Sequence, residues 1–270
     1  MSPRVLELHT PPTAPLDAGP LRPDRLASRT VAEIERLELR HGGGTVAVAD
    51  LFRVRDGARE ELVIAGGSPL LDRVAAEMEG GRLRVEGEVG DELALAMRGG
   101  RVEVEGSAGL LAAAAMRGGT VVVRGDVGAF AAACRHGHRF GMGGGVLWVD
   151  GTLGPRAGER MRRGIVVAAA AAEGLGVRML GGTFVIRGEV GPDAGFAMRR
   201  GTLLLDRPPA DPPPTFVDCG VHDFLFVELL ARELAARDLP VPGLRRRRRR
   251  LVGCRAAGGK GEMLIATTPP

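Results

Sequence analysis

The sequence predicts an all-β fold, a right-handed parallel β-helix built as a solenoid of about 19-residue coils. Three observations lead there. First, Met78, Met97, Met116, Met142, Met161, Met179 and Met198 recur at spacings of 19, 19, 26, 19, 18 and 19 residues. Second, each is followed three residues later by a glycine: Gly81, Gly100, Gly119, Gly145, Gly164, Gly182 and Gly201. Third, a strand-like run follows, as in LRVEG, VEVEG, VVVRG, LWVDG and FVIRG. Its apolar positions alternate, as in Leu83 and Val85 or Val102 and Val104. That period marks a strand with one buried face. A repeat this short cannot hold two helices, and the asparagine ladder of a leucine-rich repeat is missing. Coils stacked about 4.8 Å apart would bring the methionines and the paired valines into internal ladders.

Composition agrees with a thin, regular core. Of 270 residues 44% are hydrophobic, but only 3% are aromatic, with one Trp and no Tyr. The 42 glycines supply turns and close backbone approaches, without the period-3 pattern of collagen. Lys and Arg number 37 against 33 Asp and Glu, yet one run, Arg245 to Arg250, carries six of these cations. Without that run the net charge falls from +4 to −2, so basicity is local. No apolar run suits a membrane span and no signal-peptide pattern opens the chain. Three scattered cysteines, Cys134, Cys219 and Cys254, point to reduced thiols and a cytoplasmic protein.

The elements follow in order. Residues 1–60 are expected to cap the N-terminal edge of the solenoid, which would otherwise invite edge pairing. They hold a helix or turn near Ser28 to Glu35, then RLELR and TVAVADLFRV flanking HGGG as a hairpin. Residues 61–207 form the coils, with Glu61 to Glu77 as a degenerate one. Residues 208–270 comprise a Pro-rich linker, an amphipathic helix and a basic tail. Phe224, Val227, Leu230 and Leu234 mark one face of that helix, which ends before Pro240. It is expected to close the C-terminal end of the stack or to dock on a partner chain.

The M-x-x-G repeat with its V-x-G strand ending resembles the C subunit of formylmethanofuran dehydrogenase. It is also similar to the β-helical C-terminal domain of the large glutamate synthase chain. The tail PTFVDCGVHDFLFVELLARELAARDL followed by GGKGEML resembles the end of the C-subunit family, as does the N-terminal ADLFRV. The resemblance implies a noncatalytic scaffold subunit of one of two complexes. The favoured one is the bacterial formyltransferase/hydrolase complex of one-carbon metabolism. It moves a formyl group from tetrahydromethanopterin to a methanofuran-like carrier and hydrolyses the product to formate. An Arg- and Ala-rich composition with Lys260 as the one lysine fits a GC-rich bacterial genome. The alternative is the C subunit of a molybdenum or tungsten formylmethanofuran dehydrogenase. The implied partners are a formyltransferase subunit, a metal-containing amidohydrolase-like subunit, and a further subunit. No cofactor and no catalytic residue is expected on this chain.

Candidate contact residues fall in two groups. Arg98, Arg117, Arg162 and Arg199 each follow a repeat Met, so a basic stripe could guide the acidic tail of the carrier. The plainer reading pairs them with acids such as Glu79 or Glu159. The third coil also carries seven extra residues, about Arg135 to Gly141, in CRHGHRFG. Insertions in repeats usually lie on a functional face. His136 and His138 are therefore partner or substrate contacts, or else solvated. With Cys134 they are suitable metal donors, but three ligands within five residues rarely enclose one ion, so no metal is expected.

Other chemistries find little footing. The Arg245 to Arg250 run would bind phosphates nonspecifically, but stacking aromatics and recognition motifs are lacking. Attachment of a flexible tail to an acidic neighbouring subunit is the preferred reading. The glycine clusters at 143–145 and 258–262 lack P-loop spacing, and no serine has a matching His and Asp. Asp223 is expected in the capping region of the helix. A stand-alone carbohydrate-active enzyme is the remaining rival, through the strand-face carboxylates Glu86, Glu105 and Asp150. Their recurrence with the repeat is that of a solvated outer face.

Overall fold

A computed structural model describes residues 2–209, 211 and 213–267. The N-terminal segment comprises β1 (Pro3–Leu8), β2 (Leu16–Asp17), α1 (Pro23–Leu26), α2 (Val31–Glu35), β3 (Glu38–His41), β4 (Gly44–Ala47), α3 (Val48–Leu51) and β5 (Phe52–Arg55). The repeats supply β6 (Ala58–Ala65), β7 (Leu71–Asp72), β8 (Arg82–Val85), β9 (Arg101–Val104), β10 (Thr120–Val123), β11 (Gly143–Leu153), β12 (Arg163–Ala171), β13 (Thr183–Ile186) and β14 (Arg200–Leu205). After them come β15 (Val217–His222), α4 (Leu225–Ala235), β16 (Arg248–Gly253) and β17 (Lys260–Ala266). The fold is dominated by strands. A 13-stranded sheet runs in the order β15-β16-β17-β14-β13-β12-β11-β10-β9-β8-β6-β1-β5, and a four-stranded sheet in the order β4-β3-β2-β7.

From β1 to β17 the large sheet is parallel, with register shifts at Pro3/Arg4 and at both ends of the β11–β12 pairing. Leu62, Leu83, Val102, Val121, Leu147, Val166, Phe184, Leu203 and Met263 pair in succession. Antiparallel strands finish both ends, β5 beside β1 and then β16 and β15 beyond β17. A second parallel row runs through the bridges Val89–Ala108, Ala108–Val127 and Val127–Leu153. Between this row and the next Met the backbone alternates into the left-handed region, at Glu92, Ala94 and Ala96, then at Leu111, Ala113 and Ala115. Each such residue costs about 1–2 kcal/mol. The conformation aims amides and carbonyls at neighbouring repeats, as in Ala94 N–H to Val74 O (2.8 Å) and Ala113 N–H to Leu93 O (2.7 Å). Alanine suits these tightly stacked positions. The small-residue stretches of the sequence are this third row.

The core lies between the rows. All seven repeat methionines are fully buried, with the inward valines and leucines of the strands beside them. Thr30 caps α2 in a capping box with Glu33, as the stretch Ser28 to Glu35 suggested. β3 and β4 form the expected antiparallel hairpin.

The C-terminal segment departs from expectation in three ways. Helix α4 does not close the end of the stack but lies along the outer face of the sheet. There Val227, Leu230 and Leu234 cover Val122, Trp148, Val167, Val185, Leu204 and Leu264. The matching outer positions of β8 and β9 are Arg84 and Glu103, so the outer face turns apolar at β10, where the helix cover begins. That cover makes all four residues of β10 buried instead of every second one. Second, the basic run is no flexible tail. Arg248 to Arg250 open β16, and Arg245, Arg247, Arg249 and Arg250 pair with Glu228, Asp223, Asp218 and Glu262. Arg248 is buried on Asp206 (3.2 Å). Third, the N-cap of α4 is Phe224, and Asp223 instead faces Arg247 (3.5 Å). No helix among the described residues is long and apolar enough to cross a membrane.

Candidate partner-docking face

The position after each repeat Met reaches the surface, exposed where it holds Glu or Arg and half-buried at Gly143 and Leu180, but it does not carry a continuous basic stripe. Its occupants run Glu79, Arg98, Arg117, Gly143, Arg162, Leu180 and Arg199. Arg98 and Arg117 sit in adjacent repeats, where Arg117 N–H bonds Met97 O (2.8 Å). Gly143 then separates them from Arg162, and Leu180 separates Arg162 from Arg199. Glu79 receives Arg98 at 2.8 Å, while Glu159 engages Arg156 (2.9 Å) and Arg178 (3.8 Å) rather than Arg162. The guanidinium of Arg162 lies over the Phe140 ring, 5.1 Å from its centroid. Arg117 and Arg199 have no carboxylate partner among the described residues.

The insert projects from the edge where the left-handed row meets the Met. Cys134 N–H to Glu159 O and Gly141 N–H to Arg160 O (both 3.0 Å) anchor its two ends to the following repeat. Between them His138 N–H turns back onto Arg135 O (2.9 Å), and Gly137 takes φ +78° at the tip. Arg135 reaches across to Glu92 (2.9 Å). His136 and His138 stand exposed. Cys134, His136 and His138 do not converge, and the described residues hold no group of three or more His, Cys, Asp or Glu side chains fit to hold a metal.

Beneath the insert lies an open groove of about 840 Å³. Leu110, Leu111 and Phe130 form its apolar floor, with Arg139, Arg156, Arg160 and Arg178 around them. Arg156 lies over the Phe130 ring at 5.7 Å, a cation–π arrangement that holds both side chains in the wall. Both sequence-predicted histidines line this groove, whereas the four predicted arginines do not. Two of the residues that sequence reasoning missed have a recognisable signal. Arg160 and Arg178 interrupt the alanine-rich third row where other repeats have Ala96, Ala115 and Ala197, whereas Phe130 and Arg156 take a position that holds Glu92, Leu111 or Asp193 elsewhere.

The strand-face carboxylates are engaged elsewhere. Glu105 pairs with Arg84 (3.1 Å). At Asp150 partial burial favours the neutral acid, but the Trp148 indole N–H (2.7 Å) and the Arg124 guanidinium (3.0 Å) outweigh it. They hold this carboxyl below the ordinary range.

No family model matches the chain. Among curated proteins it is 47% identical over 257 residues to the Fhc C subunit of the formyltransferase/hydrolase complex of Methylorubrum extorquens, covering 91% of this chain and 92% of that one. The C subunit of tungsten-containing formylmethanofuran dehydrogenase 2 from Methanothermobacter thermautotrophicus is 30% identical over 94 residues, 33% of this chain and 35% of that one. Among solved structures, a chain in the crystal structure of the formyltransferase/hydrolase complex FhcABCD from Methylorubrum extorquens, in complex with methylofuran, superposes with a TM-score of 0.92. That superposition covers 98% of this chain and 100% of the other at 35% identity. Likeness maintained from end to end, over the N-terminal segment, the repeats and the C-terminal segment alike, means that the chain belongs to the Fhc C-subunit family of formyltransferase/hydrolase complexes.

Proposed function

We propose that this chain is the scaffold of a formyltransferase/hydrolase complex and contributes no catalytic residue of its own. In this reading a formyltransferase subunit, a metal-containing amidohydrolase-like subunit, and a further subunit assemble on it. Formyl passes from tetrahydromethanopterin to a methanofuran-like carrier and leaves as formate. The observation that carries the reading is 47% identity to the Fhc C subunit over nearly the whole chain. The dehydrogenase alternative has weaker support, since that likeness spans only 33% of this chain. A cytoplasmic location belongs to the same reading and is supported by three cysteines without disulfides.

The architecture we propose is a right-handed parallel β-helix. Residues 1–60 cap it, 61–207 form its coils and 208–270 extend from it. Its support is the return of three rows, two of strands and bridges and one of left-handed residues, at each repeat. A stack held by in-register ladders is stiff along its axis. Stiffness matters because a carrier shuttling between two active sites needs a separation matched to its reach. Contact with the carrier or partners at Arg98, Arg117, Arg162, Arg199, His136 and His138 is part of the proposal, supported by their exposure.

Reconstitution with and without this chain tests the reading. Without it, the formyltransferase and hydrolase subunits should fail to co-migrate. Formate release from formyl-tetrahydromethanopterin should then collapse while each separate active site stays competent. Full assembly and an undiminished rate without the chain would refute the scaffold role.

A further inference from the structure

The groove beneath the insert does not end with it. A second depression of about 380 Å³, bordered by Pro155, Val177 and Phe196, continues the first and shares Arg156 and Arg178 with it. The two depressions make one channel along the stack axis. Its ends carry exposed apolar side chains, Leu110 at 45% and Phe196 at 54% exposure. Between the repeat of Leu110 and that of Phe196 lie four steps, about 19 Å at the spacing of neighbouring strands.

The middle of the channel has an excess of cations. Arg139 and Arg160 have no carboxylate partner among the described residues, and Arg156 and Arg178 share the single acid Glu159. Glu173, in the repeat of Arg178, and Asp193, in that of Phe196, border only the second depression. Apolar anchors flanking unneutralised guanidinium groups are the composition of a protein interface, in which arginine and aromatic side chains carry most of the binding.

We infer that this channel seats one segment of a partner protein, acidic at its centre and with a large apolar side chain near each end. This inference rests on the scaffold reading above. The span fits about six residues of extended chain or about thirteen of helix. A second copy of this chain fits poorly, because it would set the same cations against each other. A polyanionic carrier alone would neutralise the arginines but leave Leu110 and Phe196 in water.

The test uses the assembled complex. Lys260 is the one lysine of the chain, so an Arg139→Lys variant places a single new amine in the channel and keeps its charge. Zero-length carbodiimide coupling should then join position 139 to an Asp or Glu of another subunit. Coupling to a second copy of this chain, or none in an assembled complex, overturns the inference. In parallel, the double variants Arg139→Glu with Arg160→Glu, and Leu110→Ser with Phe196→Ser, should each lower retention in the complex at least about tenfold. The unchanged melting temperature of each isolated variant controls for folding. A wild-type complex that forms while both variants are retained equally well removes the channel inference and leaves the scaffold standing. A wild-type chain that purifies without partners removes both.

Discussion

A β-carbon built on Gly119 would lie 2.7 Å from the Cε of Met97, so the methyl group of one repeat fills the space a side chain would need in the next. The same relation joins Met78 to Gly100, Met116 to Gly145, Met142 to Gly164, Met161 to Gly182 and Met179 to Gly201. Met and Gly recur together because each methionine packs on the glycine one repeat ahead. Gly119 also stands at φ +89°, which a β-carbon makes costly.

Gly119→Ala should therefore destabilise the chain by about 1–3 kcal/mol through overpacking, with a further 1–2 or so for the left-handed backbone. Met97→Ala should cost about 2–5 kcal/mol as a cavity. In the double variant the new methyl enters the vacated space, so the combined loss should fall short of the sum. Chemical denaturation of all four species measures that coupling. Strict additivity would mean that the two residues do not share the space.

Arg248 ties the C-terminal segment to the sheet. It is fully buried and donates to Leu205 O (3.0 Å), Leu264 O (3.3 Å) and Asp206 (3.2 Å). Arg248→Ala or Asp206→Ala leaves one buried charge unpaired, and each should cost about 3–5 kcal/mol. Replacing both with apolar residues of similar volume should cost less than either change alone. Equilibrium unfolding compares the three.

Leu234 of α4 is fully buried against the outer face of the sheet. Leu234→Ala should cost about 2–5 kcal/mol. It should also raise hydrogen exchange across Leu225–Ala235 before the ladder of β10 to β14 loosens. Exchange that rises uniformly through both would show that the helix and the sheet open together.

Asp72 sets an acid-side signature. Burial raises its carboxyl above the ordinary range and outweighs the hydrogen bond from the Asp91 amide, and the carboxylates of Asp91, Glu92 and Asp17 add to the rise. The folded state therefore binds this proton more tightly than the unfolded chain, whose value is about 3.9. The site costs stability above its folded pKa, and that cost is relieved as pH falls through the folded pKa. Asp72→Asn keeps an acceptor for the Asp91 amide. It should raise the melting temperature at neutral pH and remove this contribution toward about pH 4. An unchanged difference between the two pH values would contradict the assignment.

The strand ladders were legible in the sequence because a period of two within a period of nineteen encodes both the strand and its stacking. The left-handed row was not, since alanine in LALAM or LAAAAM has no conformational signature of its own. Strand β17 was not legible either. Its Gly261 takes the role of the repeat glycine, with a β-carbon there 2.8 Å from Met198 Cε. However, Gly261 follows Met198 by 63 residues, against 22 from Met97 to Gly119, so the repeat spacing does not point to it. The place of α4 was readable only with hindsight. Val122, Trp148, Val167, Val185 and Leu204 make the outer strand positions apolar, and such a face needs a cover. At the docking face the insert was visible as extra length. Which arginines would join it was not, because only the stacking of repeats brings Arg156, Arg160 and Arg178 to one groove with the insert.

The most direct measurement is purification of the tagged full-length chain from its native host, with mass spectrometry of what accompanies it and metal analysis of the product. The scaffold account predicts stoichiometric recovery of a formyltransferase chain and a metal-containing amidohydrolase-like chain. Elution of the chain alone would contradict it.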